Sequence, residues 1–210
     1  MGLEERRLRD KKRRIREILE AARKIFISKG YLNTTMLDIA KEAELSRGTL
    51  YLYFNSKEEI TFQVIFESFE TIFLGLSEAV DSNQLGLDKL IAMKNVYLNY
   101  YKNDFNQFYF TLFYDFKLTR ETLIEADAKE CMHVIRKILD LFTSVLETGV
   151  EDGSIKVEGD LKTVSFTIMS IVHGTMQKAA SRRDLLGEIM QFNEFDLLDS
   201  MFDILFHSLT

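Results

Sequence analysis

Two short helices and a tight turn are encoded in residues 34–59, which read TTMLDIAKEAELSRGTLYLYFNSKEE. Thr35 is followed three residues later by Asp38, the spacing of a capping box, which predicts the start of the first helix. Ser46 is a suitable N-cap for a second, very short helix that begins soon after the first one ends. The stretch therefore predicts a helix-turn-helix arrangement.

Longer helices flank this stretch on both sides. Before it, apolar residues recur at steps of three and four from Ile15 to Phe26, and Gly30 predicts the end of that helix. After it, Ser56 caps a long helix whose apolar positions keep the helical period to about residue 80. Further helices are predicted at residues 84–103, 105–117, 120–149, 161–181 and 190–208, with one clear loop marked by Gly149, Gly153 and Gly159.

The composition favours an all-α fold of about nine helices. The 210 residues include ten glycines but no proline, the residue that most often marks turns and helix boundaries. A hydrophobic content of 46% predicts one or two globular domains with a buried core. The single cysteine, Cys131, excludes an internal disulfide. Since the chain shows neither a signal-like segment nor an apolar run of about 18 residues, we expect a cytoplasmic protein outside the membrane.

Charge is divided unevenly along the chain. Residues 1–60 contain 14 Lys and Arg against 10 Asp and Glu, whereas the remaining residues contain 13 against 23. The first 16 residues alone contain eight basic side chains and three acidic ones. Two interpretations of this basic run stay open: an arm along the minor groove or backbone of a nucleic acid, and a solvated helix end.

The helix-turn-helix pattern has a direct chemical use. The first turn of the second short helix can enter the DNA major groove, where base edges present a distinct pattern of donors and acceptors. Arg47, Thr49 and Tyr53 are expected to be exposed there, and Gly48 removes a side chain where close approach to DNA is useful. Tyr51 and Lys57 are candidates for phosphate contacts.

This stretch resembles the DNA-binding signature of the TetR family of bacterial transcriptional regulators. The Ile-Ala, Ala-x-x-Ser, Gly-x-Leu-Tyr-x-Tyr-Phe and Ser-Lys-Glu elements occur in the family's order and spacing, and the resemblance extends over residues 12–72. It implies a DNA-binding domain at 12–72, with its helix-turn-helix motif at 35–54, joined by a long helix to an effector-binding and dimerisation domain at 73–210. It also implies groove-facing roles for Arg47, Gly48, Thr49 and Leu52, and phosphate contacts by Thr35, Tyr51, Tyr53 and Lys57.

One residue departs from the family pattern. The family usually has glycine in the turn where Glu44 stands in this chain. If Glu44 keeps a left-handed backbone, the substitution costs on the order of 1 kcal/mol. The fold is expected to tolerate this cost.

The acidic remainder of the chain is rich in phenylalanine. Only two of the 17 phenylalanines precede residue 60. The rings either form an ordinary core or line a cavity, and both interpretations stay open. The resemblance implies a domain that senses a small hydrophobic or aromatic effector, for which we expect walls formed by Phe66, Phe69, Phe108, Tyr109, Phe113 and Met169.

The last two long helices each carry an apolar stripe. Such helices either complete the core or form a partner-binding face, and the resemblance favours a two-fold homodimer on a palindromic operator. The residues predicted for the dimer interface are Ile168, Ile171, Val172, Gly174, Phe195, Leu198, Phe202 and Leu205.

The sequence offers little for enzyme chemistry. His133, His173 and His207 are scattered over different helices, and we find no phosphate-binding glycine loop, catalytic triad order or paired cysteines. We therefore expect no catalytic residues, no metal site and no cofactor. The sequence predicts a ligand-responsive repressor that binds double-stranded DNA. The alternatives are a DNA-binding family member without an effector, and a helical lipid-binding carrier.

Overall fold

The computed structural model describes residues 2–103, 105–106, 108–111, 126–188, 191 and 193–210. Over these ranges the chain is all-α with no strand, as the sequence predicted. The helices are α1 (Leu3–Lys29), α2 (Met36–Glu42), α3 (Arg47–Tyr51), α4 (Lys57–Asp81), α5 (Gly86–Asn103), α6 (Ala126–Asp152), α7 (Leu161–Ser181), α8 (Arg183–Glu188) and α9 (Glu194–His207). The short α8 was not predicted, and much of the helix predicted at 105–117 lies outside the described residues.

The three predicted N-caps all begin helices. The hydroxyl of Thr35 accepts a hydrogen bond from the amide of Asp38 at 3.2 Å, and the Asp38 carboxylate accepts one from the Thr35 amide at 2.8 Å. Ser46 caps α3 through the amide three residues on at 3.0 Å, and Ser56 caps α4 in the same way at 3.1 Å. Each cap satisfies an amide that the helix itself leaves unpaired.

The buried side chains form two cores. The first core joins α1, α2, α3 and the start of α4, and it also receives Phe110 and Cys131. The second core joins the rest of α4 to α5, α6, α7 and α9. Phe66 and Phe69 on α4 pack against both cores. We call residues 15–64 the head and residues 73–210 the body.

Helix α4 contributes buried side chains to both cores. By length and mean hydropathy (1.3) it is apolar enough to cross a membrane. The sequence search for uninterrupted apolar runs did not identify it, because charged and polar residues interrupt its apolar positions. Half of its most apolar window is buried inside the protein. The first turns of α4 supply Ile60, Phe62 and Val64 to the first core, and later turns supply Ile72 and Leu76 to the second. Burial along most of its length explains this composition.

The predicted glycine loop was wrong at its first member. Gly149 lies inside α6, and the turn begins only at Gly153, whose φ is +76°. Gly149 is instead a site of close approach, because a Cβ on Gly86 would stand 2.2 Å from the Gly149 backbone. The start of α5 is fixed at the same place, since the Gly86 amide donates to the Asp152 carboxylate at 2.7 Å.

Candidate nucleic-acid interface

A tight turn sets the angle between α2 and α3. Glu44 has φ +54°, so it keeps the left-handed backbone at the position where the resembled family usually has glycine. The amide of Glu44 donates to the Lys41 carbonyl at 3.1 Å, and that of Leu45 donates to the Ala40 carbonyl at 2.8 Å. These bonds close the end of α2 and leave only a short extended segment before the cap of α3.

The short α3 is anchored on one side and open on the other. Leu50 is fully buried in the first core. Arg47 and Gly48 are exposed, Thr49 is half-buried, and Leu52 at the end of the helix keeps 80% of its surface. The four predicted groove-facing residues thus lie on α3 or at its C-cap, and none of them is buried. The Arg47 guanidinium lies 5.5 Å from the centre of the Tyr51 ring, which steadies it without neutralising it.

The predicted phosphate contacts fall into different surroundings. Thr35 and Tyr51 are exposed, whereas Tyr53 is half-buried and packs against the first core. The ammonium of Lys57 donates to the carbonyls of Tyr31 at 2.9 Å and Thr34 at 2.8 Å. Lys57 therefore fastens the α1–α2 connection to α4.

Sequence reasoning missed this structural role of Lys57. The ammonium also lies 4.2 Å from the centre of the Tyr31 ring. The two residues are 26 positions apart, so no local sequence signal joins them. A basic residue in the first turn of a helix was the only sign, because that position is unfavourable for a cation without other partners.

Two titratable groups of the head have shifted pKa values. The Lys29 ammonium, 2.8 Å from the Asp38 carboxylate, and the hydrogen bonds from Thr35 hold the pKa of Asp38 well below its usual range. Burial, together with the hydrogen bond that its hydroxyl donates to Glu58 at 2.8 Å, raises the pKa of Tyr31. Asp38 therefore stays negative and Tyr31 stays neutral near neutral pH.

The residues expected to form the effector walls lie in the interior of the body and along its junction with the head. Phe108 is buried, and the partly buried Phe66, Phe69, Tyr109 and Met169 pack against the second core. Phe113 lies outside the described residues. An enclosed space between α5, α6, α7 and α9 has a volume of about 10 Å³ and is lined by other side chains, among them Tyr97, Phe142 and Phe202. Burial raises the pKa of Tyr97.

The residues predicted for the dimer interface divide by exposure. Five are buried in the single chain, because α7 and α9 pack against each other and against the rest of the body: Ile168, Val172, Leu198, Phe202 and Leu205. Phe195 is half-buried against the same core. Ile171 is 42% exposed, and open space surrounds Gly174. The exposed Phe166 and Ile204 lie on the same two helices, and the dimer interface stays a prediction.

Comparison with known proteins relates the chain to a family model and to two proteins of Bacillus subtilis. Residues 18–64 match the family model described as bacterial regulatory proteins, tetR family. The chain is 27% identical over 188 residues to the uncharacterized HTH-type transcriptional regulator YfiR of Bacillus subtilis, covering 80% of this chain and 81% of that one. It is 23% identical over 169 residues to the fatty acid metabolism regulator protein of the same organism, covering 80% and 84%.

Solved structures share the fold. The transcriptional regulator FadR from Bacillus subtilis in complex with stearoyl-CoA superimposes with a TM-score of 0.74 at 19% identity, covering 92% of this chain and 98% of that one. The likeness extends over both cores, so the head and the body are arranged as in that structure.

Proposed function

The chain belongs to the tetR family of DNA-binding bacterial transcriptional regulators, and from this premise we propose that it is a cytoplasmic repressor released from its operator by a small hydrophobic effector. It binds a palindromic operator as a homodimer. The observation that supports the DNA-binding part is the exposure of α3: Arg47, Gly48 and Leu52 are exposed and Thr49 is half-buried, whereas Leu50 anchors the helix in the first core.

The open surface of α3 is suited to reading bases. The Arg47 guanidinium can donate two hydrogen bonds to the O6 and N7 atoms of a guanine, and a contact of this kind discriminates by about 1–3 kcal/mol. The exposed Leu52 offers an apolar surface to a thymine methyl group. Gly48 lets the backbone of α3 approach the groove. Arg47 and Thr49 therefore supply most of the sequence reading.

The exposed faces of α7 and α9 support the homodimer. Phe166, Ile171 and Ile204 keep 58%, 42% and 68% of their surfaces in the single chain. A two-fold dimer that covers these side chains presents two α3 helices to two half-sites about one helical turn of DNA apart. Sedimentation velocity measures the oligomeric state, and a monomer at every concentration that binds the operator would remove the dimer from the proposal.

The effector part rests on the junction between body and head. Arg23 on α1 pairs with Glu67 on α4, and the Cys131 thiol donates to the Phe62 carbonyl at 3.6 Å. A ligand that moves α4 or α6 in the body therefore disturbs contacts of the head. The similar structure of FadR from Bacillus subtilis contains stearoyl-CoA, which supports a fatty-acyl class of effector for this chain.

A regulator without an effector is the second candidate. The observation that favours it is the enclosed space of about 10 Å³ between α5, α6, α7 and α9, which holds a single water at most. In this case the protein would bind its operator with the same affinity whatever metabolites are present.

The main experiment selects DNA fragments from the source genome and measures their affinity for two variants. Arg47→Ala removes one guanine contact from each half-site of the dimer, so we expect operator affinity to fall by at least about 30-fold. Arg136→Ala is the matched control, because Arg136 is an exposed arginine on α6 of the body. Full operator affinity in Arg47→Ala contradicts the assigned DNA surface.

The effector is tested on the same fragments. Addition of acyl-CoA thioesters of increasing chain length to the operator complex is expected to release the DNA. Because coupling is reciprocal, operator DNA must weaken acyl-CoA binding by the same factor. Unchanged DNA binding across acyl-CoAs and a broader set of metabolites would favour the regulator without an effector.

A further inference from the structure

The first part of α1 extends beyond the packed protein. The helix begins at Leu3, but its first fully buried residue is Ile18. All side chains from residue 4 to residue 13 are exposed. We call residues 3–14 the arm. As a helix of 12 residues it is about 18 Å long.

The arm holds the positive charge of the N-terminal region. It contains seven Lys and Arg against three Asp and Glu, whereas the head, residues 15–64, contains seven of each. The helix-turn-helix domain thus carries no net charge. The basic excess noted in residues 1–60 lies entirely in the arm.

The cations of the head are also largely engaged. Lys24 is 3.7 Å from Glu42, Lys29 pairs with Asp38, and Lys57 donates to two carbonyls. In the arm, four cations have no carboxylate partner among the residues that the structure describes: Arg6, Arg7, Lys11 and Lys12. DNA affinity in water depends mainly on cations that neutralise phosphates. The head offers three exposed cations of this kind, Arg16, Lys41 and Arg47, so the arm more than doubles the number available to phosphates.

We propose that the arm is a second DNA-binding surface, which contacts backbone phosphates beside the operator half-site. This inference rests on the proposed DNA-binding function. Its contribution is independent of base sequence, so the arm raises affinity for operator and non-operator DNA alike, while α3 discriminates between them.

The helical form of the arm decides between its two possible contacts on DNA. A helix with its side chains is about 10–12 Å wide, whereas the minor groove is about 6 Å wide. The arm therefore lies along phosphates and does not enter the minor groove. An anionic membrane surface suits the arm poorly, because membrane-surface helices need an apolar face, and Leu8 is the single large apolar side chain at positions 4–13.

The test compares two variants with the same change of charge. The arm variant carries Arg6→Gln, Arg7→Gln, Lys11→Gln and Lys12→Gln. The control variant carries Lys89→Gln, Lys102→Gln, Lys129→Gln and Arg136→Gln in the body. Glutamine has a helix propensity close to that of lysine and arginine, and far-UV circular dichroism checks that α1 is kept.

The measured quantity is the slope of log affinity against log salt concentration, on the selected operator and on a random-sequence duplex of equal length. Each lost phosphate contact lowers the slope by about 0.9, so two arms with four cations each account for a decrease of up to about 7. We expect the arm variant to lose at least about 2 in slope on both duplexes. The operator-to-random affinity ratio should stay within about twofold, because phosphate contacts do not read sequence.

Several outcomes would overturn the arm as a DNA contact. These are an unchanged slope in the arm variant, an equal decrease in the control variant, or arm-dependent binding to phosphatidylserine vesicles with DNA binding unaltered. The proposed function fails separately, if the unmodified protein binds no duplex or if Arg47→Ala keeps the full operator-to-random ratio.

Discussion

The three later helices of the head and helix α5 of the body begin by different means. In the head, α2, α3 and α4 each start at a side chain that caps an amide three residues away. In the body, the first amides of α5 are held by Asp152 and Ser154, which lie 66 and 67 residues further along the chain. The starts of α2, α3 and α4 are therefore specified by local sequence, whereas the start of α5 depends on contacts that form only when the chain has folded.

The largest expected effect breaks such a distant contact. Gly86→Ala places a Cβ 2.2 Å from the backbone of Gly149, and a helix backbone cannot yield as a flexible side chain can. We expect a loss of about 3 kcal/mol in the free energy of unfolding, which corresponds to a decrease in Tm of roughly 6–12 °C. Differential scanning calorimetry measures both.

The control for this substitution is Gly187→Ala. Gly187 also lies in a helix, but an added Cβ meets nothing within 4 Å. Alanine there is expected to leave Tm unchanged or to raise it slightly, because alanine favours helix more than glycine. An equal decrease in both variants would show that the Gly86–Gly149 approach is not what fixes α5.

A smaller effect of opposite sign is expected in the turn of the head. Glu44 has φ +54°, which costs an L-residue about 1 kcal/mol relative to glycine. Glu44→Gly should therefore raise Tm by about 2–4 °C. Glu44→Ala removes the same charge but keeps a Cβ, so it should not raise Tm. If both variants gain equally, the charge of Glu44 and not its backbone is responsible.

The smallest expected effect is the pH-dependent stabilisation by the Asp38 cap of α2. The folded pKa of Asp38 is lowered, so its stabilisation is fully present above the ordinary value of 3.8 and is lost as the pH falls below it. Asp38→Asn should reduce Tm at pH 7, and the difference from the unmodified protein should shrink below pH 3.8.

Asp160→Asn at the start of α7 is the matched cap in the body. Asp160 accepts from the Thr163 amide at 2.8 Å, but its lowered pKa arises first from the hydrogen bond of the Thr163 hydroxyl, whereas that of Asp38 arises first from Lys29. Added salt should therefore weaken the effect of Asp38→Asn more than that of Asp160→Asn. Equal salt sensitivity would remove Lys29 as the main partner of Asp38.

The same contrast explains how far the sequence could be interpreted. The N-caps at Thr35, Ser46 and Ser56 were predicted because the cap and its amide are three residues apart. The role of Gly149 was not, since a glycine serves a turn and a close helix contact equally well, and only the position of Gly86 distinguishes them. For the same reason the apolar stripe on α9 left two interpretations open, core and partner-binding face, and Leu198 proves to be fully buried in its own chain.

Phe66 and Phe69 couple the unfolding of the head to that of the body. Each ring packs against both cores, so neither core can be exposed to water without leaving part of the other uncovered. The free energies of the two halves are consequently not independent quantities. Heating should therefore produce a single calorimetric transition. A destabilising substitution in the body, such as one at Gly86, should lower the temperature at which α3 in the head unfolds, although Gly86 lies outside the head.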